Sequence, residues 1–349
     1  RKLGRIGAKT IIFYLFTTTI AIIIGLVLAN TIQPGKGLSK ETTTQLMANY
    51  QAEAAKRIEK ALEKPSLQEV LLDIIPTNPA QSFAQGDMLQ IIFFALLLGI
   101  TLTLIPFEKA QPILQLFNGV NDAMIRMVDL IMALAPYGVF ALIAAIIGEF
   151  GLGILWTLVK YSIVVITGLL AHTCLVYPLL IKSLTKMSVR KFFQGIRPAQ
   201  LIAFSSSSSS ATLPVTMECA EERLGVSNQI ASFVLPLGAT INMDGTALYQ
   251  GVAAVFIAQV FGMDLALGQQ LTIILTATLA SIGAAGVPGV GMITLALVLK
   301  TIGVPLEGIA LILGVDRILD MCRTMINVTS DATCSVIISA TEGELRHIV

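Results

Sequence analysis

The chain has 349 residues, 55% hydrophobic and 13% charged, with a formal net charge of +1 and a mean hydropathy of +0.81. A soluble protein of this size carries about 25% charged residues, so the composition excludes a soluble domain and describes a polytopic membrane protein; its spans read as helices, an all-α fold. The near-neutral balance leaves no footprint for nucleic acid, and Cys174, Cys219, Cys322 and Cys334 lack metal-ligand spacing and read as small buried hydrophobes.

Arg1, Lys2, Arg5 and Lys9 precede a first apolar run, Ile11 to Leu28. The run is a full span with no small-residue cleavage site after it, so no cleavable signal peptide is expected. The positive-inside rule puts the four basic residues on the cytoplasmic side. Tyr14, Thr17 and Thr18 share one face of this helix; back-bonding to their own turn is the plain reading of the threonines. Gly35 to Asp87 holds a charged, helix-prone stretch and reads as a polar insertion outside the bilayer, on the outer side. Met88 to Ile105 is the next span, Phe107 to Pro112 a polar connection, and Asn118 to Ile147 a long apolar helix with Asp122, Arg126 and Asp129 near its start. Ile154 to Ile181 spans again, and Lys182, Lys186, Arg190, Lys191 and Arg197 form a second cytoplasmic cluster.

Beyond this point the pattern changes. Ser205 to Ser210 lie between apolar arms that are each too short to cross. Such a run predicts the tip of a re-entrant hairpin, where open backbone is tolerated only against protein or a water-filled cavity. Asn228 to Phe261 is a membrane helix interrupted by Pro236, Gly238 and Thr240 to Thr246. Leu271 to Lys300 repeats the hairpin around SIGAAGVPGVG, Ser281 to Gly291. The order then reads as paired repeats, each with a serine-containing tip, a proline (Pro214, Pro288) and a helix bearing Asn and Asp. Inverted repeats with broken helices place transporter sites near the midplane; a channel filter built from open backbone is the competing reading.

The closing stretch, Val304 to Glu344, suits a membrane helix in length yet carries Asp316, Arg317, Asp320, Arg323 and Asp331. Each charge at mid-bilayer costs roughly 2.5–3.5 kcal/mol even on the mildest scale. Asp316, Asp320, Arg323, Asn327 and Asp331 fall within an arc of roughly 80° at about 100° per residue. A static salt-bridge ladder is one reading of this stripe. Its three acids and single Arg leave negative charge over, which a bound cation balances. An intramembrane enzyme has the least support, because the serine run has no evident His or Lys partner and the spans hold no metal motif.

The serine-rich tip followed by ATLPVT, GATINMDGTALYQG, ASIGAAGVPGVG and DRILDMCRTMINVTSD together resemble the glutamate/aspartate transporter family, the dicarboxylate/amino acid:cation symporters. The resemblance runs from about Ile11 to the C-terminus. It implies a glutamate-transporter-like fold with two re-entrant hairpins, inverted repeats, an elevator mechanism and a homotrimer, multi-pass in the cell (plasma or inner) membrane. Residues 1–31 would be a transport-domain helix and 32–150 scaffold. Residues 151–349 would complete the transport domain: hairpin 1 at about 192–222, a broken helix at 228–261, hairpin 2 at 267–302 and the polar terminal helix at 305–340. The family has two further membrane helices before the one containing Tyr14, so the natural protein is expected to extend beyond Arg1.

By position, the resemblance implies that Arg323 pairs with the substrate's side-chain carboxylate, which suits its bidentate fork. Asp320 would take the α-amino group. Thr246, Thr324 and Asn327, with the backbone at Ser208, Ser209, Val287 and Gly291, would complete the substrate site. Sodium would sit on Gly238, Asn242, Asn327 and Asp331; on Tyr14, Thr17, Thr18, Asn242 and Asp244; and between Thr240 and the carbonyls of Ser281, Ile282 and Ala284. Oxygen-only ligands suit a hard cation. No catalytic residue and no organic cofactor are implied. The Arg at 323 separates the chain from neutral-amino-acid members, and the acid at 320 from C4-dicarboxylate members. Gln250 stands where potassium-exporting animal members have Glu, and neither Ser207, Met321 nor Cys322 supplies the second Arg seen elsewhere in the family. The expected function is secondary-active, Na+-coupled symport of L-aspartate and L-glutamate with an accompanying uncoupled anion conductance; the alternatives are a proton-coupled glutamate/aspartate or C4-dicarboxylate symporter and, from another class, an anion channel.

Overall fold

The structure, a computed structural model, describes residues 2–36, 75–85, 88–133, 153–282, 286 and 289–346, with isolated positions 137, 140, 141, 144 and 148. Among the described residues every regular element is helical. In chain order these are α1 (Lys2–Ile32), α2 (Pro79–Gln85), α3 (Met88–Leu104), α4 (Phe107–Ala133), α5 (Gly153–Ala171), a π segment (His172–Val176), α6 (Tyr177–Leu184), α7 (Val189–Ser206), α8 (Ser209–Glu218), a second π segment (Cys219–Arg223), α9 (Asn228–Ile241), α10 (Asp244–Val260), α11 (Leu267–Ile282), α12 (Val290–Ile302), a 3-10 turn (Leu306–Gly308) and α13 (Ile309–Thr341). The chain divides into two compact units, Arg1–Ala52 with Val139–Val349, and Glu53–Gly138.

In the smaller unit, α2 is tied to α3 by the Ser82 hydroxyl, which donates to Gln90 Oε1 at 2.6 Å. The connection expected at Phe107 to Pro112 is helix instead. Lys109 N and Ala110 N donate to the Pro106 carbonyl, so the helix starts at Phe107 and carries Pro112 inside its second turn. Past the first turn, Pro112 supplies no N–H for the Glu108 carbonyl, so this helix continues with one backbone bond missing. Most of the expected polar insertion, Gly35 to Asp87, and the far end of the expected helix Asn118 to Ile147 lie outside the described residues.

The larger unit is built around α10, whose residues are buried all along its length apart from Gln259. A helix that is apolar all round belongs inside a bundle. Small residues let its neighbours approach: a Cβ on Gly25 of α1 would sit 2.8 Å from the Leu248 carbonyl, and one on Gly245 would sit 2.6 Å from the carbonyl of Arg323 in α13. α1 spans about 45 Å at 1.5 Å per residue, more than a hydrocarbon core of about 30 Å. Gly4–Ile32 and Leu155–Leu184 are long and apolar enough to cross a membrane. Their outer faces carry exposed Ile12, Phe16, Val27, Trp156 and Ile163, a lining that suits lipid better than water.

The serine run is mostly helical. Ser205 and Ser206 end α7, Ser209 and Ser210 start α8, and only Ser207 and Ser208 leave the helix. Ser207 turns the chain in the left-handed region at φ 54°, and Ser208 caps α8 by accepting from Ala211 N at 3.1 Å. α7 packs on α8, and α11 on α12. The break between α9 and α10 is narrower than the expected Thr240 to Thr246: Asn242 and Met243 alone are non-helical, and Pro236 and Gly238 lie within α9.

Candidate functional site

The polar stripe of α13 turns inward, and its charges meet partners there. Arg323 is completely buried. Its Nη1 donates to Asp316 Oδ1 at 2.9 Å and its Nη2 to Asp320 Oδ1 at 2.7 Å. The guanidinium lies 3.8 Å from the ring centre of Tyr249 on α10, a cation–π contact in a dry setting. Arg323 Nε has no partner. A ladder of salt bridges is therefore present, but only along Asp316, Arg323 and Asp320, and it carries one net negative charge. Gly291 of α12 closes this group: a Cβ there would sit 3.3 Å from Arg323 Nη1 and 3.3 Å from Thr246 Cγ2. Asp320 Oδ2 also accepts from Gly289 N at 3.0 Å, which ties the α11–α12 pair to α13.

Asn327 lies one turn further along. Met243, which precedes α10, has no capping side chain. Asn327 caps the helix from across the bundle, with Oδ1 accepting from Gly245 N at 2.8 Å and Nδ2 donating to Thr246 Oγ1 at 3.3 Å. Thr324 is buried and donates back to the Asp320 carbonyl at 2.9 Å.

The two deeper acids differ in company. Asp331 Oδ1 accepts from Asn242 Nδ2 at 2.7 Å. Gly238 faces the same oxygen, where a Cβ would come within 2.4 Å of Asp331 Oδ1 and 2.6 Å of the Tyr14 hydroxyl. Asn242 Oδ1 is buried without a partner. A carboxylate oxygen and a phenol thus converge where a side chain has been left out, and the residue bonded to that carboxylate has a buried, unpaired amide oxygen; oxygen donors of these kinds suit a hard cation. Asp244 stands at the first residue of α10, where the helix dipole favours an acid. Its Oδ1 accepts from Thr18 Oγ1 at 2.8 Å, and Thr17 Oγ1 lies at 3.2 Å from it and equally 3.2 Å from the Phe13 carbonyl. Its Oδ2 accepts from Ser330 Oγ at 2.7 Å, Tyr177 OH at 3.0 Å and His172 Nε2 at 3.3 Å. The partners of Asp244 come from four elements: α1, the π segment, α6 and α13.

The serine tip meets the second pair of helices. The Gly286 carbonyl accepts from Ser208 Oγ at 2.7 Å and Ser210 N at 3.2 Å. Ser209 is buried beside them. Ser281 is buried, donates to its own turn at Thr278, and lines a small crevice with Tyr14, Thr18, Ile241 and Thr278. Thr240 is exposed and bonds to the Leu237 carbonyl of its own helix at 2.9 Å, so the structure does not bring it into the buried group. Ile282 ends α11; Ala284 and Val287 lie outside the described residues.

Four participants escaped the sequence reading. His172 and Tyr177 sit in an apolar span with nothing around them to suggest a site, and Ser330 needed only the thought that the residue beside Asp331 faces the neighbouring acid. Tyr249 lies one turn after Thr246, on the same face, and that spacing was the usable signal.

Among the described residues every regular element is helical, two helices are long and apolar enough to cross a membrane, and the buried polar groups include acids, amides and the Arg323 guanidinium, which describes a membrane protein organised around a polar centre. The chain belongs to the sodium:dicarboxylate symporter family, whose sequence pattern matches residues 1–341. It is 41% identical over 343 residues to the proton/sodium-glutamate symport protein of Bacillus subtilis (strain 168), covering 98% of this chain and 78% of that one. It is 39% identical over 345 residues to the proton/glutamate-aspartate symporter of Escherichia coli (strain K12), at 98% and 77% coverage. The C4-dicarboxylate transport protein of Rhodospirillum rubrum is 37% identical over 348 residues, at 99% and 76%.

Proposed function

We propose that this chain is a secondary-active symporter of acidic amino acids, L-aspartate and L-glutamate, driven by Na+. The observation that carries the reading is the buried Arg323 held between Asp316 and Asp320 and roofed by Gly291. A substrate with two carboxylates and one ammonium matches it in kind. Its side-chain carboxylate takes over part of the Arg323 fork, and its ammonium takes the Asp320 oxygen that this exchange releases. Thr246, Thr324 and Asn327 supply neutral hydrogen bonds, and the backbone near Ser208, Ser209, Val287 and Gly291 covers the substrate. Na+ enters as co-substrate. One site uses Asp331, Asn242, Asn327 and Gly238, and a second uses Asp244, Asn242, Tyr14, Thr17 and Thr18. A third uses Thr240 with the carbonyls of Ser281, Ile282 and Ala284.

In this reading α7–α8 and α11–α12 are re-entrant hairpins of inverted repeats, and their tips gate the substrate. Residues 1–31 and 151–349 form the transport domain, which moves as an elevator against a scaffold of residues 32–150. The assembly is a homotrimer, multi-pass in the cell membrane, with an uncoupled anion conductance. A C4-dicarboxylate has no ammonium for Asp320, so the Asp320–Arg323 pair favours an amino acid over that relative's substrate. Proton coupling is the second reading, favoured by the Escherichia coli relative named for it.

Radiolabelled aspartate and glutamate uptake into proteoliposomes separates the readings. Concentrative uptake under an inward Na+ gradient supports the proposal. Uptake under a proton gradient alone keeps the substrate site and replaces the coupling ion. Current without concentrative uptake would make the protein a channel.

A further inference from the structure

The π segment His172–Val176 interrupts an otherwise regular apolar helix. In an α-helix at about 100° per residue, residues five apart point roughly 140° away from each other. Closing bonds to the fifth residue instead brings residue i+5 back over residue i. His172 and Tyr177 are five apart, and both donate to the same oxygen, Asp244 Oδ2, at 3.3 and 3.0 Å. Their rings meet edge to face at 4.9 Å. An unbroken α-helix would aim only one of them at the acid. We infer that His172 and Tyr177 are positioning residues for the cation site at Asp244, and that the π segment is the device that pairs them.

The two oxygens of Asp244 are held by different kinds of group. On Oδ2, with Nε2 carrying the hydrogen, His172 can only donate, and Tyr177 and Ser330 close the remaining directions. On Oδ1 the partners are the hydroxyls of Thr18 and Thr17, and Thr17 has an alternative acceptor in the Phe13 carbonyl at the same 3.2 Å. Thr17 can turn its hydrogen to that carbonyl and present oxygen instead, which frees one side of Oδ1. The fixed side therefore aims the carboxylate, and the adaptable side is the one a cation can enter. The crevice lined by Tyr14 and Thr18 adjoins that side. His172 is not an economical choice for packing alone. Its Nδ1 is buried without a partner, a penalty an aliphatic side chain would avoid.

This inference rests on the sodium reading above, and the test separates the two. The thermal midpoint of the purified protein is followed during titration with NaCl at constant ionic strength against choline chloride, since a ligand of the folded state raises it with concentration. Groups that orient a metal ligand typically carry 10–100-fold in affinity. His172→Leu should therefore raise the half-saturating Na+ concentration roughly tenfold or more. Tyr177→Phe, which deletes one oxygen, should raise it by a smaller factor, and His172→Gln, whose Nε2 can donate from a similar reach, should recover most of the loss. The midpoint at zero Na+ reports any purely structural damage. A wild-type sodium response with unchanged half-saturation in His172→Leu and Tyr177→Phe overturns the inference alone. No sodium response in the wild type overturns the sodium reading and this inference with it.

Discussion

Removing Arg323 should damage the fold and the substrate site by separable amounts. Asp316, Asp320 and Arg323 together hold one net negative charge, and the guanidinium makes charge-assisted bonds of 2.9 and 2.7 Å to the two acids. Arg323→Ala leaves both carboxylates buried without a counter-ion, with Asp320 keeping its bond from Gly289 N. Breaking a buried pair by deleting one partner costs about 3–5 kcal/mol. Adding Asp316→Asn returns the group to one negative charge, so the double variant should regain about half of that loss or more, because residues in direct contact do not act additively. Binding should not recover, since Arg323 is the anion receptor of the proposal. Losing two charge-assisted bonds at about 1.5–3 kcal/mol each implies at least a hundredfold loss of aspartate affinity in both variants. Denaturant or thermal unfolding in detergent reads the first effect, and calorimetric titration with aspartate reads the second. Aspartate affinity within about threefold of wild type in Arg323→Ala would refute the receptor assignment. A double variant no more stable than the single would refute the charge argument.

Gly238→Ala should suppress Na+-dependent uptake, because its Cβ would intrude to 2.4 Å from Asp331 Oδ1; overpacking of this kind costs about 1–3 kcal/mol, and an unchanged Na+ dependence of uptake would count against a cation at that point. Ser208→Ala removes the cap of α8 and a bond to the Gly286 carbonyl, so hydrogen exchange at the amides of residues 209–211 should accelerate, by a stability loss of about 1–2 kcal/mol; equal exchange would separate the two helix pairs energetically. At the end of α13, hydrogen bonds from Arg5 and then Lys9 hold the Glu342 carboxyl down from 4.5 to about 2. A depressed carboxyl contributes stability that is complete above its unfolded value and lost as pH falls through the folded one. The thermal midpoint should therefore fall between pH 4.5 and 2, and Glu342→Gln should flatten that limb.

What could be seen in the chain beforehand follows from how local each feature is. The stripe on α13 was legible because helical spacing alone aligns Asp316, Asp320, Arg323, Asn327 and Asp331. The break at Asn242 and Met243 was legible as a region and misjudged in width, since Pro236 and Gly238 can be absorbed within a helix whose neighbours pack closely. Phe107 to Pro112 looked like a loop because it is polar and ends in proline, yet the helix starts at Phe107 and runs through Pro112 with one backbone bond missing. Other features depended on tertiary contact. Nothing near His172 in sequence suggests an acid 72 residues away. Nor does anything near Met243 reveal that its helix is capped by Asn327 from another element.

The two interior acids are also unequal in a way spacing could not disclose. Asp244 is surrounded by donors from four separate elements and sits on a helix N-terminus, so much of its charge is already met by fixed dipoles. Asp331 is met by one amide, Asn242 Nδ2, whose own oxygen is left unpaired beside it. A buried carboxylate with so few donors needs either a cation or a proton, because an isolated charge in such a setting is not sustained. Of the two, Asp331 therefore bears more directly on which ion the proposed symporter couples to. In the same proposal Asp244 would govern how precisely the cation is placed, and its aim would come from a π segment that no reading of periodicity would single out.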